Sequence, residues 1–374
     1  MKRWSFGAAF AKALGLCLAA HAGDPDVLLL TNTEFDGAQT GIKQLDPTTG
    51  AIIGEFVPED FHNNGELWPI EAIAPGPNRS VLVAQPCPDG KISRYGDQGE
   101  FIGVYLGNTA EDNPVDNIRG MVRSLDGQYL FTADWDDDDI HRFRFVDGAP
   151  AGIDPNDPLG IFIPGMQPSP LLDLPQAMAV LPDGALLVAD IAQGKLLRYD
   201  PSTGALIGPF HQEFLAGNIH DIDVQANGDV VVANGGSGDR VVTFNAAGVI
   251  ISEFNFNEPQ GVHVLPSGDL LVTSGSTFGQ GKGLFRVSSD GTILEVLDDS
   301  RSYGALELIT LVRVSGDCEG ADGDVDLLDH AQIALCLTGP GGALLPECGC
   351  ADADFDGDVD MFDVALVFAR FGGG

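Results

Sequence analysis

Residues 175–200 read PQAMAVLPDGALLVADIAQGKLLRYD. In this stretch an apolar segment meets a Pro-Asp-Gly turn, passes into the five-residue run LLVAD, crosses a second polar turn and leaves through the alternating segment KLLRYD. A short apolar run bounded by turn residues is the pattern of a strand buried on both faces, and alternation that of a strand buried on one. The order repeats along the chain. The run LLVAD has counterparts in LLLTN from Leu28, VLVAQ from Val81, LFTAD from Leu130, VVVAN from Val230 and LLVTS from Leu270, with successive starts 53, 49, 56, 44 and 40 residues apart. The flanking segment LDPTTGAIIGEF at 45–56 returns as YDPSTGALIGPF at 199–210. Self-similarity at a period of roughly 45 residues marks an architecture in which each unit buries its faces only against its neighbours.

Gly50, Gly99, Gly148, Gly204, Gly248 and Gly291 keep the same phase, as tight hairpin turns with positive φ require. Ahead of five of the six apolar runs lies one more apolar segment: WPIEAIAPGPN, NIRGMVRSLDG, LPQAMAVLPDG, IHDIDVQANG and PQGVHVLPSG. Four short strands per unit predict the blades of a β-propeller. The first unit lacks its inner strand, and the missing one stands at the far end as YGALELITL, residues 303–311. Its pairing beside the strand that starts at Leu28 closes a ring of six blades and leaves no exposed sheet edge at the seam. The extra length at 147–170 reads as a surface loop around one strand, 161–163.

With 49 Gly and 23 Pro among 374 residues, about one position in five breaks regular helix, which disfavours a helical bundle. The 44% apolar content, with 21 Phe, suffices for a large core. A formal charge of −36, from 55 acidic and 19 basic residues, excludes favourable contact with a nucleic-acid backbone or an anionic membrane and suits cationic partners or bound cations. Lys2 and Arg3 precede an apolar run, Ala13 to Ala20, and a small-residue site, Ala20-His21-Ala22, so residues 1–22 are expected to be a secretory signal, with Lys12 its one blemish. No later stretch approaches the roughly 20 apolar residues of a membrane span. The expected location is extracellular, periplasmic or at the cell surface.

Cysteine usage agrees with an oxidising compartment. Cys17 lies in the signal, Cys87 stands alone between two prolines and reads as a free thiol, and Cys318, Cys336, Cys348 and Cys350 fall within the last 60 residues. These four allow two disulfides in any of three pairings. Zinc is disfavoured there, because the segment has no C-x-x-C knuckle and its one histidine, His330, sits inside a predicted helix.

The blade pattern, with 175–200 as its clearest copy, resembles the six-bladed propellers of the NHL-repeat and gluconolactonase-like type over roughly residues 24–314. That superfold hosts lactonases, lyases and pure binding proteins, so the resemblance implies architecture more than chemistry. The expected fold class is an all-β six-bladed propeller over residues 23–314, followed by a small α-helical calcium-loop domain over 315–374.

The tail changes composition abruptly, with eleven Asp, two Glu and one Arg after residue 314. In DADFDGDVDMFD, residues 352–363, Asp352, Asp354 and Asp356 take positions 1, 3 and 5 of a twelve-residue loop, Gly357 the sharp turn at 6, Asp358 a backbone carbonyl at 7 and Asp363 the closing position 12. Hard oxygen donors at these spacings are what a seven-coordinate Ca²⁺ needs. The helical run VALVFARF follows. An earlier copy, 34 residues upstream, places Asp322, Gly323, Asp324 and Asp329 at positions 5, 6, 7 and 12, while Asp317 and Glu319 supply positions 1 and 3 only if the loop bulges. Loop plus helix, twice, resembles a dockerin module, which implies calcium-dependent folding and a cohesin-like protein partner. Two features depart from that family: Leu327 with Leu328 and Met361 with Phe362 stand where a small hydroxyl pair is usual, and the four cysteines are foreign to it.

Chemistry in a propeller sits where loops enter the inner strands and leave the second strands, around the mouth of the central channel. Glu71, Arg119, Gln176, His220 and Gln260 enter the inner strands, with Gly304 in the closing copy, while Asn32, Gln85, Asp134, Asp190, Asn234 and Ser274 leave the second strands. Converging carboxylate, amide and imidazole groups suit a small polar ligand, a carbohydrate or a divalent ion. Glu71, Arg119 and His220 are the candidate catalytic groups for a lactonase or lyase. The gluconolactonase resemblance implies a metal held by acid and amide groups, here Glu71, Asn234 and Asp190, although Arg119 and His220 depart from an all-oxygen set. Residues 136–139 read as a solvated acidic turn, partly neutralised by His141 and Arg142. There is no G-x-S-x-G, P-loop or H-E-x-x-H signature.

Overall fold

Each apolar run of the repeat becomes the second strand of a four-stranded antiparallel sheet whose strands follow one another from the centre outward. The computed structural model describes residues 26–32, 41–58, 70–77, 80–85, 90–107, 115, 117–165, 172–211, 213, 215, 217–275, 282–300, 303–310 and the single positions 336, 337, 351 and 359. The expected signal, Cys87, the calcium-loop aspartates and, apart from Cys336 and Leu337, the tail helices lie outside the described residues.

Blade 1 holds β1 (Asp26–Asn32), β2 (Ile42–Leu45) and β3 (Ile52–Val57). Blade 2 comprises β4 (Ala72–Gly76), β5 (Ser80–Gln85), β6 (Lys91–Tyr95) and β7 (Phe101–Leu106), and blade 3 comprises β8 (Ile118–Arg123), β9 (Tyr129–Asp134), β10 (Asp139–Arg144) and β11 (Ile161–Ile163). Blade 4 runs through β12 (Pro175–Val180), β13 (Leu186–Asp190), β14 (Lys195–Tyr199) and β15 (Leu206–Pro209), and blade 5 through β16 (Asn218–Val224), β17 (Val230–Gly235), β18 (Arg240–Phe244) and β19 (Ile250–Asn255). Blade 6 has β20 (Pro259–Val264), β21 (Leu270–Ser274), β22 (Gly283–Val287) and β23 (Ile293–Asp298). The last strand, β24 (Tyr303–Thr310), returns to blade 1 as its inner strand, pairing Leu308 with Leu28 and Leu306 with Leu30. The ring is thus six blades closed by the C-terminal strand. The strand at 161–163 is the fourth of blade 3, within the long insertion. The six hairpin glycines all have positive φ, from 69° to 90°.

The cores lie between blades. Along β1, Val27 and Leu29 face blade 2, packing with Ile73, Val81 and Val83, whereas Leu28 and Leu30 face Leu265, Leu271 and Leu284 of blade 6. Both faces of a second strand are therefore apolar, which is why these strands read as continuous hydrophobic runs. Each buried Leu or Val contributes roughly 1.5–3 kcal/mol, and four further clusters of this kind complete the circle.

The acidic turn at 136–139 differs in part from its expectation. Asp136 and Asp137 are exposed, but Asp139 opens β10, is 6% exposed and sits 2.9 Å from His141 Nε2. Arg142 does not neutralise this run. Its guanidinium reaches the carbonyl oxygens of Gly152, Pro201 and Ser202 and lies over the rings of Tyr129 and Phe162. Strand pairing sends it toward the insertion and blade 4, away from the turn. Among the described residues no helix is long and apolar enough to cross a membrane.

Candidate functional site at the propeller mouth

The mouth residues share a backbone device that the sequence pattern does not reveal. In blade 3, Ile118 pairs with Asp134 and Gly120 with Ala133, leaving Arg119 as an extra residue. In blade 5, Ile219 pairs with Asn234 and Asp221 with Ala233, leaving His220; in blade 6, Pro259 pairs with Ser274 and Gly261 with Thr273, leaving Gln260. Blade 4 sets Gln176 and Ala177 against Ala189, between the pairs Pro175–Asp190 and Met178–Val188. In blade 2 the Glu71 N–H donates to the carbonyl of Ala84, the residue that already pairs with Ala72. Blade 1 has the same irregularity, residues 304 and 305 facing Thr31. A β-bulge re-aims the extra side chain out of the sheet's alternation, so the bulges give the entry residues a direction independent of the packed faces.

Four of these side chains form two linked pairs. Arg119 Nη1 lies 2.8 Å from Glu71 Oε1, and Arg119 Nε donates to Asn117 Oδ1 at 3.0 Å. The half-buried Trp135 ring lies 5.5 Å from the guanidinium, held in place because the Trp135 N–H donates to the Asn117 carbonyl. In the second pair the Gln176 amide N–H donates to His220 Nδ1 at 2.8 Å, which leaves the ring proton on Nε2. Desolvation pushes the His220 pKa down to about 4, and the nearby Arg119 charge adds to the shift. A Cβ on Gly235 would lie 2.9 Å from His220 Cδ2, so only glycine leaves the imidazole its seat. Gln260 packs against Gly275 in the same way.

The second-strand ends face inward to the turns. Asp190 is fully buried; its carboxylate accepts from the Gln193 backbone and side chain at 2.9 and 2.7 Å and from the Asp173 N–H at 3.2 Å. Burial pushes its pKa up to about 6. Asp134 accepts from the amides of Asp136 and Asp137, Gln85 accepts from Ser93 Oγ, and Ser274 Oγ donates to the Asn257 carbonyl. Asn234 is fully buried beside Gly217. The structure therefore brings Glu71, Arg119, Gln176 and His220 together, and sets Asp190 and Asn234 into the scaffold beneath them.

Sequence reasoning missed Asn117 and Trp135, and also Asp221 and Asp223 on β16. Asp221 Oδ2 accepts from the Val262 N–H at 2.8 Å, and Asp223 Oδ2 accepts from the Val264 N–H at 2.7 Å while lying 3.1 Å from His263 Nδ1. These carboxylates satisfy the free edge of the neighbouring inner strand, β20. Their alternation in IHDIDV is the signal that was available.

The mouth is nearly neutral: Glu71 and Arg119 cancel, and His220, Gln176 and Gln260 carry no charge near pH 7. Its free chemistry is that of donors, acceptors and one indole. Neither base candidate is poised, since Glu71 is paired with a cation and His220 presents N–H at Nε2. The donor set does not fit a metal ion either, because Arg119 neutralises Glu71 and the Asp190 carboxylate is taken up by Gln193 and Asp173. Among the described residues no group of three or more His, Cys, Asp or Glu is disposed to hold one.

No protein family matches the chain by sequence, and no curated protein does. Solved structures do match in fold. A chain of a nidogen–laminin complex shares 13% identity with a TM-score of 0.56, over 76% of this chain and 98% of that one. A putative 6-phosphogluconolactonase from Bacteroides fragilis shares 14% with a TM-score of 0.51, over 77% and 99%. The periplasmic gluconolactonase of Pseudomonas aeruginosa shares 16% with a TM-score of 0.50, over 77% and 100%. At this level of identity the likeness is one of architecture: the chain is a six-bladed β-propeller with gluconolactonase-like structural neighbours.

Proposed function

We propose that this is a secreted binding protein whose propeller mouth holds a small, neutral, polyhydroxylated ligand of the carbohydrate class and whose tail, loaded with calcium at Asp352, Asp354, Asp356 and Asp363 and folded as a disulfide-stapled dockerin-like module, anchors it to a cohesin-like partner. The observation that carries the mouth reading is the pairing of Gln176 with a neutral His220 across from the Glu71–Arg119 ion pair. Hydroxyl groups both donate and accept, and so match amide, imidazole N–H and a charge-neutral ion pair, while the Trp135 ring supplies an apolar face for C–H groups. Calorimetric titration with glucose and gluconate tests it. Binding of glucose that is lost in His220→Phe supports the reading; no binding of either compound contradicts it.

A lactonase is the rival reading, favoured by the propeller shared with the gluconolactonase structures. In that reaction water adds to the lactone carbonyl, the ring ester C–O bond breaks, and the open acid releases a proton. Acid release from δ-gluconolactone above the spontaneous rate, followed by pH-stat and abolished in His220→Phe, would replace the binding reading.

A further inference from the structure

Among the described residues four non-glycine positions have left-handed φ: Asp138 at 59°, Leu174 at 53°, Asp239 at 36° and Glu258 at 42°. They form two pairs of one design. Asp138 lies in the turn between the second and third strands of blade 3, and its Oδ1 accepts from the Leu174 N–H at 2.8 Å. Asp239 lies in the corresponding turn of blade 5, and its Oδ1 accepts from the Glu258 N–H at 3.1 Å. Leu174 and Glu258 each receive a second tie, their carbonyls accepting from the N–H groups of Ile191 and Gly275 at 3.3 Å. Each is followed by a proline and then by a bulged mouth glutamine: Leu174-Pro175-Gln176 and Glu258-Pro259-Gln260.

A left-handed leucine or glutamate costs on the order of 1–2 kcal/mol and persists only where its surroundings over-determine it. A residue before proline is also confined in its backbone, normally to the extended region. Both conflicts fall two residues before a side chain of the mouth and are met by a carboxylate from the preceding blade. Chain entry to an inner strand needs no such device, since blade 5 uses glycine, Gly217, at φ 112° in this approach.

We propose that Asp138 and Asp239 are positioning residues for the ligand site: each clamps a strained pre-proline residue of the next blade and so fixes where Gln176 and Gln260 stand at the mouth. The inference deepens the binding reading and rests on it for what the glutamines do, but the clamp itself has a readout that needs no ligand. Gln176 holds His220 in one tautomer, so movement of Gln176 is visible in the imidazole nitrogens.

The test uses the full chain labelled with ¹⁵N-histidine. In the wild type His220 should show the widely split nitrogen shifts of a single neutral tautomer. Asp138→Ala should collapse that splitting toward a tautomer average, while Asp138→Asn, which retains an acceptor oxygen, should preserve it. Should Asp138→Ala fail to fold, Leu174→Gly removes the cost of positive φ, and the Leu174→Gly, Asp138→Ala double variant should fold and still lose the splitting. With glucose as probe, Asp138→Ala and Asp239→Ala should each weaken binding about fivefold, the equivalent of one misplaced neutral hydrogen bond, and only the first should change His220. An unchanged His220 pattern in both Asp138→Ala and the double variant overturns the clamp. If the pattern changes as described while the wild type binds no glucose, the clamp stands and the binding reading fails.

Discussion

His220 and Asp190 are shifted in opposite directions by the same cause, loss of water around the charged form, and their effects on stability oppose each other over one pH range. The His220 pKa of about 4 lies below its unfolded value, so the unfolded chain takes up the proton first and stability falls as pH drops from about 6.5 to 4. The Asp190 pKa of about 6 lies above its unfolded value, so the native state takes up the proton first and stability rises as pH drops from about 6 to 4. Each effect is on the order of 1–3 kcal/mol. Urea unfolding across this range should therefore be nearly flat in the wild type. Asp190→Asn should expose the His220 slope as a loss on acidification, and His220→Phe should expose the Asp190 slope as a gain. At the other end of the scale, burial alone would lower the His141 pKa, but the Asp139 hydrogen bond and charge, the Leu159 carbonyl and the Asp134 charge together raise it. A raised histidine stabilises fully below its unfolded pKa, and that contribution is lost as pH rises through the higher folded value. His141→Gln should therefore lose stability relative to the wild type at pH 6, and the gap should narrow as the pH is raised past neutrality.

At the scale of the strand, the inner edges matter most, because they line the channel with no further strand to satisfy them. Asp221→Ala would leave the Val262 N–H without its carboxylate, and a cost of about 1–3 kcal/mol in chemical denaturation is expected. Asp221→Asn, which keeps an acceptor, should recover most of it. The strands themselves were legible in the sequence because each apolar run buries both faces between blades, and period and turn glycines then dictated the count. The entry positions Glu71, Arg119, Gln176, His220 and Gln260 were legible as equivalents for the same reason. The bulges were not, since one extra residue leaves the local apolar pattern intact and shows only in the pairing register. The clamp aspartates were hidden too. Asp138 sits in an acidic run whose composition suggests a solvated turn, and nothing local marks the residue 36 positions later that its carboxylate holds. Trp135, the first residue of the acidic turn after β9, carries no periodic signal at all.

For the molecule as a whole, closure by β24 makes the last described strand indispensable to the first blade. A chain ending at residue 314 should unfold cooperatively at nearly the wild-type temperature, whereas one ending at residue 302 should lose cooperative melting, because β1 is left without its inner partner and the Leu28–Leu30 face loses Tyr303. Calcium should act on the tail alone. In thermal unfolding with and without chelator, the proposed calcium loading of the tail requires a second transition to shift while the propeller transition stays in place, because the blades close on their own hydrogen bonds. Backbone bulges around one ring gather a neutral mouth in which His220 is seated, and the proposed function makes that mouth the ligand site. Among the described histidines His220 is the one so placed, so the ¹⁵N-histidine-labelled protein titrated with glucose should show saturable shifts at His220 with His141, His211 and His263 unmoved; saturable shifts at those three with His220 unmoved, or no shifts at all, would overturn the binding mouth.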